Sequence, residues 1–214
     1  MSIFVDIIIP TLDREQLLKE TIRSILASYY KNIGITVVID GNIQMARALA
    51  GWPVKLILNV LRLDWVASMN KAIALTHDSA VIYASDDLIF DKYCIEKAIE
   101  KMPKDQDALV AITQDVKGCR TAFGLLGRKF IERFPRGQVF CPDYTHFCSD
   151  FEIGLYAARI NKLILCPEAR VKHHRFNDST HKEAKKVEKM DLAVKDERKN
   201  RGYLWGLNFE RVVK

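Results

Sequence analysis

Two adjacent acids, Asp86 and Asp87, follow the apolar run Ala80–Ala84 and the small residue Ser85. Side chains leaving a strand end in this way can hold a hard divalent cation through oxygen ligands while that cation bridges a diphosphate. The same pair can also be turn-forming aspartates that cap a helix after Ile89. Asp40 closes a second β-branched run, Ile35–Ile39, ahead of Gly41 and Asn42. An acid there suits a ribose in a dinucleotide-binding fold, or a base and ribose in a nucleotide-sugar enzyme. The first turn discriminates between them, because dinucleotide binding needs Gly-x-Gly-x-x-Gly where backbone approaches a pyrophosphate. Pro10-Thr11-Leu12-Asp13-Arg14-Glu15 has no glycine, which disfavours an oxidoreductase. A sugar nucleotidyltransferase, which needs a glycine-rich basic loop near the start, is disfavoured on the same ground.

Further along, Asp143 to Glu152 brings carboxylates and aromatics to a loop-to-helix junction, where Asp150 is the candidate general base and Glu152 its neighbour. Both also suit a helix start, Asp150 as N-cap and Glu152 through the helix dipole. His173 and His174 end a strand-like run, and one imidazole facing outward could complete a metal site begun by Asp86 and Asp87. Ordinary surface or core histidines fit the same positions. His146 lies inside the active-looking loop.

The elements that must position these groups alternate in the first half. Val5–Pro10 reads as a strand, and a helix from Asp13 has apolar positions Leu18, Ile22, Ile25 and Tyr29. Strands then follow at Ile35–Ile39, Val54–Val60 and Ala80–Ala84, interleaved with a segment near Ile43–Ala50 and helices Val66–Leu75 and Lys92–Lys101. This rhythm predicts α/β architecture with a mainly parallel, doubly wound sheet. The second half is less regular: strands Ala108–Thr113 and Thr121–Leu126, a short helix Arg128–Phe134, a long loop Pro135–Cys148 and helix Phe151–Asn161. Strands near Leu163–Cys166 and Arg170–His173 and a charged helix Ser179–Lys199 end the pattern. One domain is expected over residues 1–214, with a nucleotide-binding half (1–105), an acceptor and catalytic half (106–178) and a basic helical tail (179–214).

The net charge of +6 comes from the tail, since residues 170–214 carry thirteen Lys/Arg against seven Asp/Glu. A basic tail suits a diphosphate, a lipid headgroup or a solvated helix face. Its mixed charges and lack of interleaved aromatics argue against nucleic acid. No apolar run approaches the length of a membrane span, and the opening residues lack a signal-peptide layout, so a cytoplasmic location is expected. Five widely spaced cysteines, with no Cys-x-x-Cys pair, argue against a disulfide framework or zinc knuckle.

Taken in order, these segments resemble the family two glycosyltransferases of the GT-A type. Asp6 to Arg14 is similar to the family's opening strand and Pro-Thr-x-Asn-Arg turn, with Asp13 in place of Asn, and Val37 to Asn42 to its nucleotide-binding turn. Leu63 to Ala72, containing Asn70 and Lys71, resembles the segment ahead of the metal strand; Ala84-Ser85-Asp86-Asp87 resembles the Asp-x-Asp region, with Ala84 replacing the first acid. Ser149 to Ile153 resembles Glu-Asp-x-Glu-Leu, and Val171 to His174 the late Val-x-His. The resemblance implies a nucleotide-sugar donor held by Pro10, Thr11, Asp13, Arg14, Asp40, Asn70, Lys71, Ser85 and Asp86. It implies Mn²⁺ or Mg²⁺ on Asp86, Asp87 and His173 or His174, and inverting transfer to a glycan, lipid-linked or protein acceptor with Asp150 or Glu152 as the base. The alternative is a non-catalytic nucleotide- or glycan-binding module on the same fold, suggested by Ile39, Ala84 and Ser149 where the family carries acids.

Overall fold

Every residue of β1 (Val5–Thr11) is buried, the mark of a strand covered on both faces. In the computed structural model, which describes residues 2–77, 80–174 and 178–212, β1 lies inside an eight-stranded sheet of order β3-β2-β1-β4-β7-β6-β8-β5. β2 (Ile33–Asp40) and β4 (Ala80–Tyr83) flank it in parallel, and β3 (Lys55–Asn59) extends the parallel part beyond β2. Side chains alternate along β1. Val5, Ile7 and Ile9 pack with Leu18, Ile22 and Ile25 of α1 (Glu15–Leu26), whereas Ile8 joins Val66, Met69 and Ile73 of α3 (Asp64–Ala74). Tyr29, expected on the α1 stripe, lies past the helix end and is exposed, stacked on Tyr93 at 4.7 Å. The segment near Ile43–Ala50 forms a short helix, α2 (Gln44–Ala48).

The second half departs from a purely parallel sheet. β7 (Phe123–Leu126) runs antiparallel to both β4 and β6 (Leu109–Gln114), following the short turn through residues 115–122. The two late strands expected from the sequence are one, β8 (Leu163–His173), parallel to β6. Its register jumps: Ile112 faces Cys166, but Thr113 faces Arg170. Pro167 to Ala169 are thereby looped out; proline, which lacks an N–H, suits a bulge. A three-residue strand absent from the sequence reading, β5 (Leu88–Phe90), pairs antiparallel with the end of β8. Consequently α4 (Cys94–Lys101) starts well after Ile89, and Asp86 and Asp87 do not cap it. The short helix after β7 is α5 (Arg128–Ile131), and α6 (Ser149–Arg159) follows the long loop.

The charged helix α7 (Ser179–Asn200) has polar residues around most of its circumference, so an apolar stripe does not hold it. Buried ions do. Asp191 is 1% exposed and accepts the N–H groups of Thr145, His146 and Phe147 at 2.8, 2.8 and 2.7 Å. Arg198, equally buried, donates to Glu152 at 2.9 Å and to Asp143 at 2.7 Å. Glu152 also receives the Tyr144 hydroxyl and the Trp205 N–H, each at 2.6 Å. The long loop is thus shaped by side chains that arrive from α7. Among the described residues, no helix is long and apolar enough to cross a membrane, and all five cysteines are unpaired.

Arg198→Ala would leave Glu152 and Asp143 buried without their counter-charge. Breaking one side of such a network costs about 3–5 kcal/mol, because the remaining ions keep their desolvation penalty. Chemical denaturation should show a loss of that order; an unchanged midpoint would mean that the network carries no net stability.

Candidate active site

Parallel strands bring their carboxyl ends to one edge, so β1, β2 and β4 place Thr11, Asp40 and Asp86 together although distant in sequence. Asp40 is buried and fully engaged: it accepts from Asn59 at 2.9 Å and from the N–H groups of Leu63 and Asp64, both at 2.8 Å. It therefore fixes the turn entering α3, where Asp64 has a left-handed backbone (φ 62°). Asp86 accepts the Thr11 hydroxyl at 2.7 Å, and Asp87 accepts the Ser85 hydroxyl at 2.7 Å.

Between the two acids lies Arg14. One guanidinium nitrogen donates to Asp86 at 3.2 Å and to Asp87 at 2.8 Å, while the remaining two grip Asp178, at the start of α7, at 2.8 and 2.9 Å. Burial works against the charge on Arg14, but Asp178, Asp86 and Asp87 more than offset it and hold its proton more firmly than in free arginine. The two acids respond differently. Burial, helped by the charge of Asp87, raises Asp86 to about 6 despite Arg14 and Thr11. Burial also works to raise Asp87, but the hydrogen bond and charge of His173, with Ser85 and Arg14, outweigh it and lower that carboxyl. His173 has its Nε2 3.4 Å from Asp87, while Nδ1 lies 2.9 Å from the Gln114 side-chain oxygen.

Asp87, Gln114, His173 and Asp150 line one cavity of about 390 Å³. Its roof is the first half of α7, through Thr180, His181, Ala184, Lys185 and Glu188. A narrower compartment of about 60 Å³ adjoins it, walled by Pro10, Thr11, Asp40 and Asp86 and roofed by Thr180 and Ala184. Asp13 is tied to the same roof, accepting from the Ser179 and Thr180 hydroxyls.

Asp150 is not the helix cap considered from the sequence; Cys148, in a left-handed conformation (φ 68°), takes that position, and Asp150 falls in the first turn of α6. Its carboxyl is enclosed although the residue keeps some surface, and burial raises its pKa against the pull of the Phe151 N–H and the Cys119 thiol. Glu152 turns inward to Arg198 and Tyr144 and does not reach the cavity, so of the two candidate bases only Asp150 lines it. Asn70 also serves the framework, clasping the Phe140 backbone by bonds of 2.7 and 3.0 Å, and Lys71 reaches Asn59 at 2.7 Å. Neither lines the cleft. His174 donates its backbone N–H to the Asp87 carbonyl, and of this adjacent pair His173 is the one that lines the cavity.

Sequence reading missed Gln114, Cys119 and the Asp178-led roof. Gln114 obeys the rule that selected Asp40, a polar residue ending a buried strand, and Asp178-Ser179-Thr180 is an ordinary helix-start signal; Asp178 accepts the His181 N–H at 2.8 Å. Two carboxylates and an imidazole match the donor preferences of Mn²⁺ or Mg²⁺. Arg14 fills the gap between those donors, and among the described residues no three His, Cys, Asp or Glu side chains converge on a ready-made position. By residue type the donor set fits a divalent cation, which would have to displace Arg14.

A parallel sheet edge carrying carboxylates, followed by an antiparallel extension and a carboxylate at a helix start, is the GT-A glycosyltransferase architecture. The chain belongs to the family Glycosyl transferase family 2, whose match spans residues 6–160. Among solved structures it is similar to the mannosyltransferase PcManGT from Pyrobaculum calidifontis in complex with GDP-Man and Mn²⁺, at 15% identity, TM-score 0.71, with 91% of this chain and 64% of that one covered. It is also similar to GalNAc-T7 with UDP, GalNAc and Mn²⁺ (13%, TM-score 0.68, coverage 81% and 43%). TarS 1-349 of S. aureus gives 12%, TM-score 0.62, and coverage of 79% and 60%. The chain spans less than two thirds of the length of each, and at these identities the likeness concerns the fold. No match was found among curated protein sequences.

With its pKa raised to about 6, Asp86 contributes stability that is full below the unfolded value and lost as pH rises through the folded one. Asp86→Asn, without added metal, should therefore exceed the wild type in stability at pH 8 by about 1–3 kcal/mol, with the advantage shrinking to a small fraction of that at about pH 4. Denaturation at the two pH values checks this; an equal difference at both would show that Asp86 titrates normally.

Proposed function

We propose that this transferase moves a sugar from a nucleoside diphosphate sugar to an acceptor hydroxyl in a single, metal-dependent, inverting displacement. The observation that carries the reading is one cavity shared by Asp150 and the carboxylate edge at Asp87. The wide spacing of the five cysteines, with no Cys-x-x-Cys pair, supports a cytoplasmic setting as part of this reading.

Asp86, Asp87 and His173 would hold Mn²⁺ or Mg²⁺, whose charge offsets that developing on the departing nucleoside diphosphate. Thr11, Asp40 and the turn through Arg14 form the wall for base and ribose. Thr180 and Ala184 of the roof border both that compartment and the larger cavity, so the donor would lie beneath the start of α7. Lys185, on the roof of the larger cavity, then lies near the phosphates. Asp150 accepts the acceptor proton as the acceptor oxygen bonds to C1 and the bond from C1 to the diphosphate oxygen breaks. Attack opposite the leaving group inverts C1. The enclosure that raises the Asp150 pKa makes its carboxylate a stronger base than an exposed aspartate.

A binding module without turnover is the second reading. It is favoured by Ala84, which stands where the family carries an acid, and by Arg14, which already neutralises Asp86 and Asp87. A thermal-shift screen of nucleoside diphosphates with and without Mn²⁺ comes first: stabilisation is expected only with metal and should weaken in Asp86→Ala and Asp87→Ala. Asp150→Asn should then keep donor and metal affinity while turnover falls by about 10² to 10⁴. Metal-dependent nucleotide binding with no transfer or donor hydrolysis by the wild type would select the binding module. Near-normal transfer by Asp150→Asn would remove the base assignment.

A further inference from the structure

The register jump in β8 opens a second cavity of about 450 Å³, between Thr113 and Gln114 of β6, the turn through residues 116–120 and the segment Leu165–Pro167. Gln114 and Cys119 line both this space and the cavity that holds Asp150, so the two adjoin across a shared wall. The charges are one-sided. Lys117 and Arg120 line the second cavity, and among the described residues no carboxylate does.

Both cations are exposed, and among the described residues neither side chain makes an ion pair or hydrogen bond. The nearby acids are engaged elsewhere: Asp115 accepts the His173 N–H at 2.9 Å, and Glu168 faces Lys101 at 4.0 Å and the Cys166 thiol. A concave space bordered by two unpaired cations, one of them an arginine able to grip two oxygens at once, is selective for an anion.

We propose that this second cavity is an acceptor subsite that binds an anionic group, phosphate or carboxylate, on the same small molecule whose hydroxyl reaches Asp150. The inference rests on the reading of the Asp150 cavity as the acceptor side. The anion is the acceptor's and not the donor's, because the donor diphosphate is assigned to the Asp86 and Asp87 edge, whereas Lys117 and Arg120 lie beyond Gln114 and Cys119.

The test is equilibrium binding of three probes with the same ring, glucose, glucuronate and glucose 6-phosphate, to the full chain, measured by calorimetry or ligand-observed NMR and so independent of turnover. The wild type should bind at least one charged probe about tenfold more tightly than glucose, with the preference shrinking at high salt. Lys117→Ala/Arg120→Ala should abolish the preference without weakening glucose or changing the melting temperature, since both residues are exposed. The tighter of the two charged probes identifies the group as phosphate or carboxylate. Equal binding of all three probes by the wild type, or a preference that survives the double variant, would overturn the proposal. A double variant that loses nucleoside diphosphate binding would assign the cations to the donor and overturn it too. Absence of sugar transfer with charge-selective binding intact would count against the transferase reading alone.

Discussion

Two carboxylates side by side at a strand end repel each other and lose hydration when covered, so the edge formed by Asp86 and Asp87 requires a cation. In this structure Arg14 supplies it from the turn after β1, and Asp178 shares the same guanidinium from the start of α7. One side chain thereby joins the first strand, the fourth strand and the roof. A divalent metal would have to compete with an interaction that also ties down the start of α7. Roof position and Arg14 are consequently linked by a single set of charges, while the unlike pKa shifts of Asp86 and Asp87 arise from the burial that raises Asp86 and from the His173 hydrogen bond and charge that lower Asp87.

Glu152 and Asp150 show how two residues of separation can divide chemistry from architecture. On α6 they leave the helix in different directions, one towards Arg198 in the interior and one into the cavity. Gly154, one turn further on, permits the close approach of Thr121, whose hydroxyl would stand 2.3 Å from an added Cβ. That hydroxyl donates to the Asp150 carbonyl at 2.8 Å, so the start of α6 is tied to the turn before β7. The position of Asp150 relative to Cys119 thus depends on a residue that touches no ligand surface.

Much of the parallel half was readable because its signals are local. Each β-branched run ends in a polar residue, and the apolar positions of α1 and α3 recur at helical spacing; those segments appear close to where they were expected. The sheet edge followed directly, since parallel neighbours must end on the same side. What the chain did not disclose was set by distant partners. Leu88–Phe90 is too short to show a period and becomes a strand only because Val171–His173 pairs with it. The gap left between the strands expected at Leu163–Cys166 and Arg170–His173 is the loop-out of one strand. Asn70 and Glu152 carried the right residue types for a site, yet their partners, Phe140 and Arg198, lie 70 and 46 residues away. Periodicity cannot tell a buried acid facing a cleft from one facing a buried arginine.

The two ends of α7 are held by different kinds of contact. Towards the C-terminus, Asp191 is locked by three backbone N–H groups and Arg198 by two buried acids. Nearer the N-terminus, the helix rests on contacts that water can reach, such as Glu183 with Arg62 at 3.4 Å and the hydroxyls of Ser179 and Thr180 with Asp13. Mechanically it is a beam clamped over the loop at Thr145–Phe147 and pinned at its other end chiefly by the Arg14–Asp178 pair. Release of that one pair frees the near end while the far clamp holds, so amide exchange should run faster at Thr180–Ala184 than at Asp191. The roof would then lift first above Asp40 and Asp86 while the loop beside Asp150 keeps its shape.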